Sequence, residues 1–351
     1  MDLDAIDTPA LLVDLDTMER NQRRMNELFT GKKVRVRPHF KNHRVLALAD
    51  RQIAGGAIGI TCARLWQAER LNRHGIKDVL LANEIAGEPM IRRFIELSRM
   101  APVIVGIDNA STIDEMARLA GPERGLLNLV VDFDLGLRRC GAVDGAMGLA
   151  LARRIVDSGM CFRGVMGYEG HLQPLPPGSE KERVVREALA TLVSGKELIE
   201  RSGIPVEIVS CGGTGDCIIV SNFCGVTEAQ PGSYLLMDSW YAPFAPDFHP
   251  ALTVLATVIS LTGKDRLVLD AGVKAISGER GLPSLASFDG LTLKALHAEH
   301  APIEIIDGKQ APKVGEKVQI RVHYHDGTVH LHRQMYGIRN GVVEEVFQIE
   351  H

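Results

Sequence analysis

The sequence lacks any apolar run approaching the ~18 residues that span a bilayer, which excludes a membrane-spanning helix. It also lacks a strong charge of either sign. Forty Lys and Arg stand against 44 Asp and Glu, a net charge of −4, which argues against a nucleic-acid or membrane-surface partner. The six cysteines, Cys62, Cys140, Cys161, Cys211, Cys217 and Cys224, form no C-x-x-C pair. Scattered in this way through 351 residues, they suit reduced thiols better than a disulfide framework. The opening Met1-Asp2-Leu3-Asp4 is acidic and has no apolar signal core, so a cytoplasmic protein is expected. Internal repeats and low-complexity segments are absent.

What is present is a chain 45% hydrophobic and 24% charged, able to bury a large core and to form two domains. Ala10-Leu11-Leu12-Val13-Asp14 reads as a short strand. Asp16 with Glu19 looks like a capping box for a helix to about Phe29, with Gly31 beyond its end. Strands are then expected at 34–36, 57–60, 79–82, 103–107, 127–132, 162–168, 206–210 and 227–230. Helical patterns lie between them, including 63–74, 145–158 and the amphipathic 180–201. Eight strands alternating with helices predict a (β/α)8 barrel over residues 10–245. The rival, a doubly wound open sheet, more often holds fewer strands. Beyond Pro246 helical periodicity fades, and strands are expected at 252–259, 266–270, 303–306, 317–322, 328–332 and 342–349. Residues 246–351 thus read as a C-terminal all-β domain, with residues 1–9 joining it.

The stretch Arg37-Pro38-His39-Phe40-Lys41-Asn42-His43 places a lysine between two histidines on the loop after the first barrel strand. Such folds put chemistry at the carboxyl ends of their strands, and a desolvated lysine amine forms a Schiff base with an aldehyde. On composition alone the plainer reading is a surface lysine in a basic loop. Two glycine turns alter that balance. Ser210-Cys211-Gly212-Gly213-Thr214-Gly215 follows strand seven, and Gln230-Pro231-Gly232-Ser233-Tyr234 follows strand eight, the usual phosphate-binding positions of such barrels. A lysine together with a phosphate cradle points to pyridoxal phosphate. Arg139, Tyr168 and His171, at the ends of strands five and six, could orient its ring. Asp134 with Arg139 reads equally well as a pair that only fixes a loop. In the β domain, Val322-His323-Tyr324-His325-Asp326-Gly327-Thr328-Val329-His330-Leu331-His332 holds four histidines and an aspartate able to bind a divalent metal. As a strand it would show His323 and His325 on one face, and His330 and His332 on one face.

Arg37-Pro38-His39-Phe40-Lys41-Asn42-His43 resembles the R-P-H-x-K-x-H element of the D-threonine aldolase and D-serine dehydratase family. These are fold-type III pyridoxal phosphate enzymes related to alanine racemase. The resemblance runs nearly end to end, through Thr8-Pro9-Ala10-Leu11-Leu12-Val13-Asp14, Gly59-Ile60-Thr61-Cys62-Ala63, Arg139-Cys140-Gly141, Gly167-Tyr168-Glu169-Gly170-His171, Gly212-Gly213-Thr214-Gly215 and Asp270-Ala271-Gly272-Val273-Lys274. It implies that Lys41 carries the cofactor and that His39, Arg139, Tyr168, His171 and Tyr324 serve catalysis. It places Gly213, Thr214, Gly232, Ser233 and Tyr234 around the phosphate. It also implies a homodimer acting on a small amino acid.

One position departs from the family pattern, in which a histidine and, two residues later, an Asp or Cys hold a metal. Asp326 fills the second place, but Tyr324 stands in the first. Either His325 or His323 joins Asp326 on a magnesium, manganese or zinc ion, or the metal is lost and Tyr324 works as an acid and base. The resemblance accordingly implies an aldolase acting on a β-hydroxy-D-amino acid, with a dehydratase or a racemase as alternatives. Asp326 in preference to cysteine favours the aldolase. A pyridoxal phosphate carrier without catalysis is a further alternative, and the β domain argues against it.

Overall fold

The computed structural model describes residues 2–286, 288, 290–306 and 311–351. The chain forms two compact units. One comprises Asn26–Lys41 and Leu48–Gly232; the other comprises Met1–Met25, Asn42–Ala47 and Ser233–His351. The chain begins with strand β1 (Ala10–Asp14) and helix α1 (Leu15–Phe29). The Asp14 side chain, rather than Asp16, caps this helix by accepting from the Thr17 N–H at 2.7 Å. Asp16 and Glu19 instead pair with Arg339.

The first unit is a parallel barrel. Its strands are β2 (Arg35–Val36), β3 (Ile60–Cys62), β4 (Val79–Leu81), β5 (Val103–Ile107), β6 (Asn128–Phe133), β7 (Cys161–Gly167), β8 (Ile208–Cys211) and β9 (Glu228–Ala229). They hydrogen-bond in the order β2-β9-β8-β7-β6-β5-β4-β3. The two ends of that path meet. Ile58 N–H donates to Val36 O at 2.9 Å, Thr61 N–H donates to Pro38 O at 2.9 Å, and His39 bridges Thr61 in parallel. Eight strands are therefore present where the sequence predicts eight. The expected 57–60 is displaced to Ile60–Cys62, and Gly59 just before it packs so closely that a Cβ there would sit 2.4 Å from Asp78 O.

Helices α2 (Leu46–Ala54), α3 (Leu65–His74), α4 (Glu88–Met100), α5 (Ala110–Ala120), α6 (Gly145–Asp157), α7 (Ser179–Arg201) and α8 (Cys217–Val220) alternate with the strands. Local chemistry sets several of their ends. Gly75 takes the left-handed conformation (φ 109°) that closes α3, and the Asp144 and Asn109 side chains cap α6 and α5. The amphipathic face predicted for α7 buries Val185, Leu189 and Leu192. Inside the barrel, Leu80, Ile104, Val130, Met166 and Ile208, one from each of β4 to β8, form a packed layer. Gly106 leaves the room that Met166 fills, since a Cβ there would lie 2.2 Å from Met166 Cε.

The other unit is built on β10 (Leu252–Thr262), β11 (Arg266–Leu269), β12 (Ser284–Leu285), β13 (Leu291–Leu293), β14 (Ala301–Ile305), β15 (Lys317–Arg321), β16 (Gln334–Arg339) and β17 (Val342–Gln348), with helix α9 (His325–His330). The main path runs β13-β14-β11-β10-β1-β16-β17, and β15 pairs with β10 and β12. Strand β1, which the sequence places with the barrel, lies between β10 and β16. Its run Ala10 to Val13 is wholly buried; an apolar run of that kind suits either sheet, so local pattern could not assign it. The strand expected at 328–332 is also corrected. Residues His325–His330 are helical, and the Thr328 N–H and hydroxyl both donate to Tyr324 O, at 3.3 and 2.8 Å. Local backbone bonding from Thr328 overrides the apparent alternation of His330, Leu331 and His332.

Candidate active site

Parallel pairing puts the carboxyl ends of all eight barrel strands along one edge. Lys41 lies just beyond β2, half-buried, on the tight turn Phe40–Asn42. His39 holds that turn in place. Its N–H donates to Pro231 O at 3.0 Å, and its Nδ1 accepts from the Lys41 N–H at 3.4 Å. The lysine turn is thereby tied to the loop containing Gly232, which follows β9.

At the ends of β6 and β7, the Arg139 guanidinium lies over the Tyr168 ring, 5.5 Å from its centroid. Asp134 only shapes the loop, accepting from the Gly136 and Arg138 N–H groups at 2.9 Å each. His171 reaches the same loop, since a Cβ on Gly136 would fall 3.2 Å from its ring. Gly170 makes room for Tyr168, because a Cβ there would lie 2.4 Å from the ring. Arg139, Tyr168 and His171 are thus brought together, and Asp134 is the structural member of the group.

The glycine turn after β8 is more committed than its sequence suggests. Gly213 N–H donates to Asp216 Oδ1 and Gly215 N–H donates to Gln173 Oε1, each at 2.9 Å. What this turn presents is the buried Thr214. Beneath it Glu169, fully buried, faces Asp216. Burial first, and the Asp216 charge second, push the Glu169 pKa well above the usual carboxylate range.

A second acidic group, which sequence reasoning missed, stands at three successive strand ends. Glu84 follows β4, Asp108 follows β5 and Cys140 lies on the loop after β6, their ligand atoms within 4.8 Å of one another. Asp132, at the end of β6, is 6% exposed. Its pKa is raised well above the ordinary value by burial, then by Glu84. The Cys140 thiol is pushed up to about 11 by the same two causes. The sequence shows these residues as scattered acids and an isolated cysteine; only barrel closure assembles them.

In the β unit, His325 is 2% exposed and sits between two carboxylates. Its Nδ1 is 2.6 Å from Asp238 Oδ2 and its Nε2 is 3.1 Å from Asp326 Oδ1. Asp238 also accepts from the His325 and Tyr241 N–H groups. Burial alone would raise the Asp238 pKa, but His325 and these donors outweigh it and hold it below the usual range. The Asn42 amide donates to Asp326. The other histidines go elsewhere: His323 to Ser239 at 3.0 Å, His330 to Arg44 at 2.6 Å, and His332 to Ala275 O at 2.8 Å. The histidine faces expected of a strand are therefore not built, and His323 serves Ser239. Tyr324 packs edge-on to Trp240 and lies under Arg280. Burial and Asp326 push its phenol up to about 12. Ser233 Oγ is 3.5 Å from the Asn42 amide, and the Tyr234 ring is buried against Phe248.

Comparison with known proteins agrees with this layout. The family model "Alanine racemase, N-terminal domain" matches residues 13–239, and the model "Putative serine dehydratase domain" matches residues 251–338. A D-threonine aldolase from Arthrobacter sp. is 34% identical, over 98% of this chain and 92% of that protein. The chain belongs to the D-threonine aldolase and D-serine dehydratase family. A 3-hydroxy-D-aspartate aldolase of Paracoccus denitrificans (strain Pd 1222) is 31% identical, over 99% of this chain and 93% of that one. The crystal structure of D-threonine aldolase from Filomicrobium marinum superposes with a TM-score of 0.92, covering 99% of this chain and 96% of the other at 29% identity. The family match spans both units and accounts for the eight-stranded barrel followed by a β unit. Among the described residues, no helix is long and apolar enough to cross a membrane.

Proposed function

We propose that this chain is a pyridoxal phosphate-dependent lyase that cleaves the Cα–Cβ bond of a β-hydroxy-D-amino acid of the D-threonine or 3-hydroxyaspartate type. The products are glycine and an aldehyde or an oxo acid. The barrel residues fit the cofactor in the chemistry of their donors. Lys41 would hold the aldehyde carbon through its amine, Gly213, Thr214 and Gly232 would flank the phosphate, and Arg139, Tyr168 and His171 would line the ring. The Ser233 and Tyr234 main chain continues the same loop. Pyridoxal phosphate, when bound, supplies an electron sink for the α-carbon of the attached amino acid. The Arg139 guanidinium, steadied over the Tyr168 ring, would orient an anionic or phenolic group.

The observation that carries the lyase reading is the Asp238–His325–Asp326 array. Asp238 fixes Nδ1, which directs Nε2 toward the Asp326 carboxylate. Two donors so placed, with a carboxylate behind the imidazole, are what a divalent magnesium, manganese or zinc ion takes. Such an ion, when bound, lowers the pKa of a coordinated hydroxyl. His39 positions the lysine turn and is not itself a proton carrier in this reading. Tyr324, edge-on to Trp240 and beneath Arg280, shapes the wall beside His325. A cytoplasmic homodimer completes the proposal, as the family resemblance implies.

Product analysis tests it. With D-threonine, D-serine and the 3-hydroxyaspartate isomers, an aldolase releases glycine and a carbonyl product, and exhaustive chelation suppresses turnover. The second reading, favoured by the match of residues 251–338 to the serine dehydratase model, is a dehydratase, which releases ammonia and a keto acid. Inversion of the α-carbon without cleavage sinks both. Asp238→Asn should weaken activation by added metal about 10–100-fold.

A further inference from the structure

We propose that Glu169 is a positioning residue for the cofactor phosphate: as a neutral acid it donates to Asp216 and through it fixes the turn 212–215. The inference rests on the pyridoxal phosphate reading of that turn and adds a residue whose side chain that reading does not use. Every group in it belongs to the barrel unit. Glu169 follows β7, and Asp216 lies just before α8, beyond the turn after β8.

Glu169 is 0% exposed, and among the described residues neither of its oxygens has a hydrogen-bond donor in full geometry. The N–H groups of Glu169 itself and of Gly212 lie close enough only to temper the rise in its pKa. The Asp216 side chain is within hydrogen-bonding reach of it. Two carboxyl groups so placed, out of water, hold one proton between them. The place of that proton follows from the other partners. Asp216 is 1% exposed and already accepts from the Gly213 N–H at 2.9 Å and from the Gln173 amide, whereas Glu169 has no comparable donor. The proton therefore sits on Glu169, and its O–H points to Asp216.

From Asp216 the connection runs to the turn. Asp216 Oδ1 holds Gly213, and Gln173, tied to Asp216 Oδ2, holds the Gly215 N–H at 2.9 Å. Thr214 is thus fixed from both sides. Gln173 is anchored by Lys181, whose Nζ donates to Gln173 O and Leu175 O at 2.9 and 3.0 Å. Of the other titratable groups here, Lys181 feels Asp216 and Cys217, so its ammonium faces the Asp216 charge. The Cys211 thiol, pushed up by burial first and by Glu169 second, stays neutral. An ionised Glu169 would set a second negative charge beneath a turn that is to hold an anion. A neutral Glu169 keeps the turn closed and spares the phosphate that repulsion.

The test frees the full-length protein of cofactor with a carbonyl scavenger and titrates it with pyridoxal phosphate and with pyridoxal, which lacks only the phosphate. The ratio of the two affinities isolates the phosphate. Glu169→Gln, which cannot ionise yet keeps a donor for Asp216, should hold that ratio within about twofold of the parent. Glu169→Leu, of similar size without a donor, should lower it roughly tenfold. Glu169→Asp, one methylene short but still polar, should fall between them. An infrared difference spectrum, parent minus Glu169→Gln, should show the carbonyl stretch of a protonated carboxyl at neutral pH. A general packing role would weaken both probes alike and leave the ratio unmoved. An unmoved ratio in the Leu or Asp variant, a Gln variant as weak as Leu, or no protonated-carboxyl band would overturn the inference and leave the cofactor reading intact. A parent protein that takes up neither probe would overturn both.

Discussion

The two ends of the barrel hold buried charge in opposite ways. At the amino end, Arg37 is 3% exposed and lies between Glu228 and Asp78, with contacts of 2.9 and 2.6 Å. Burial alone would lower the Arg37 pKa, but the two carboxylates overcome it and raise it. A cavity of about 550 Å3 opens beside this network, lined by further cations and acids including Lys77, Arg163 and Glu207. At the carboxyl end, Glu84, Asp108 and Asp132 form one group of like charges, and Glu169 with Asp216 forms another. A paired network stabilises a fold; a frustrated one raises pKa values and invites a ligand. The barrel thus keeps its electrostatic satisfaction at one end and its chemistry at the other.

The largest expected effect breaks the carboxyl end without unfolding it. Lys41→Ala should lower turnover by roughly 10³-fold or more and remove the visible absorbance of the cofactor. Retention of that absorbance would exclude Lys41 as the anchor. The amino end should show the converse. Arg37→Met leaves Glu228 buried and uncompensated, a loss of about 3–5 kcal/mol in urea unfolding, with turnover per folded molecule unchanged. A smaller effect has the opposite sign. Asp132→Asn relieves repulsion from Glu84 and should stabilise the chelated protein by roughly 0.5 kcal/mol or more; destabilisation would show that Asp132 is already compensated.

The smallest effect concerns pH. The folded Glu169 pKa lies above its unfolded value of about 4.3, so the native state retains a proton that the unfolded chain has lost. Stability therefore falls as pH rises from the unfolded value through the folded one. Glu169→Gln should flatten that fall, gaining on the parent protein as pH rises above the unfolded value. Parallel unfolding curves across that range would show that Glu169 is ionised in the native state.

The position of Lys41 on the loop after β2 was legible because Pro38 ends that strand and the flanking histidines mark the loop. Asp326 was legible by its place in a motif, but the histidine partnering it was not. His323 and His325 are alternatives two residues apart, and the choice depends on Asp238, far away in the chain, which grips His325. Glu169 sits in a motif between Tyr168 and His171, yet no neighbour in the sequence announces that it is fully buried. The expected strand at 328–332 failed because a short alternating stretch has no means of reporting the turn that Thr328 closes on Tyr324.

The order of strands and helices in the barrel, the helix ends at Gly75 and Asp144, and the lysine loop follow from the sequence alone, since each depends on residues within a few positions. Tertiary structure decided which sheet receives Ala10–Asp14, which histidine meets Asp326, and which acids gather at the barrel mouth. Those outcomes depend on hydrogen bonds and charges between residues tens to hundreds of positions apart, and desolvation, which gives those charges their force, exists only once the chain has closed around them.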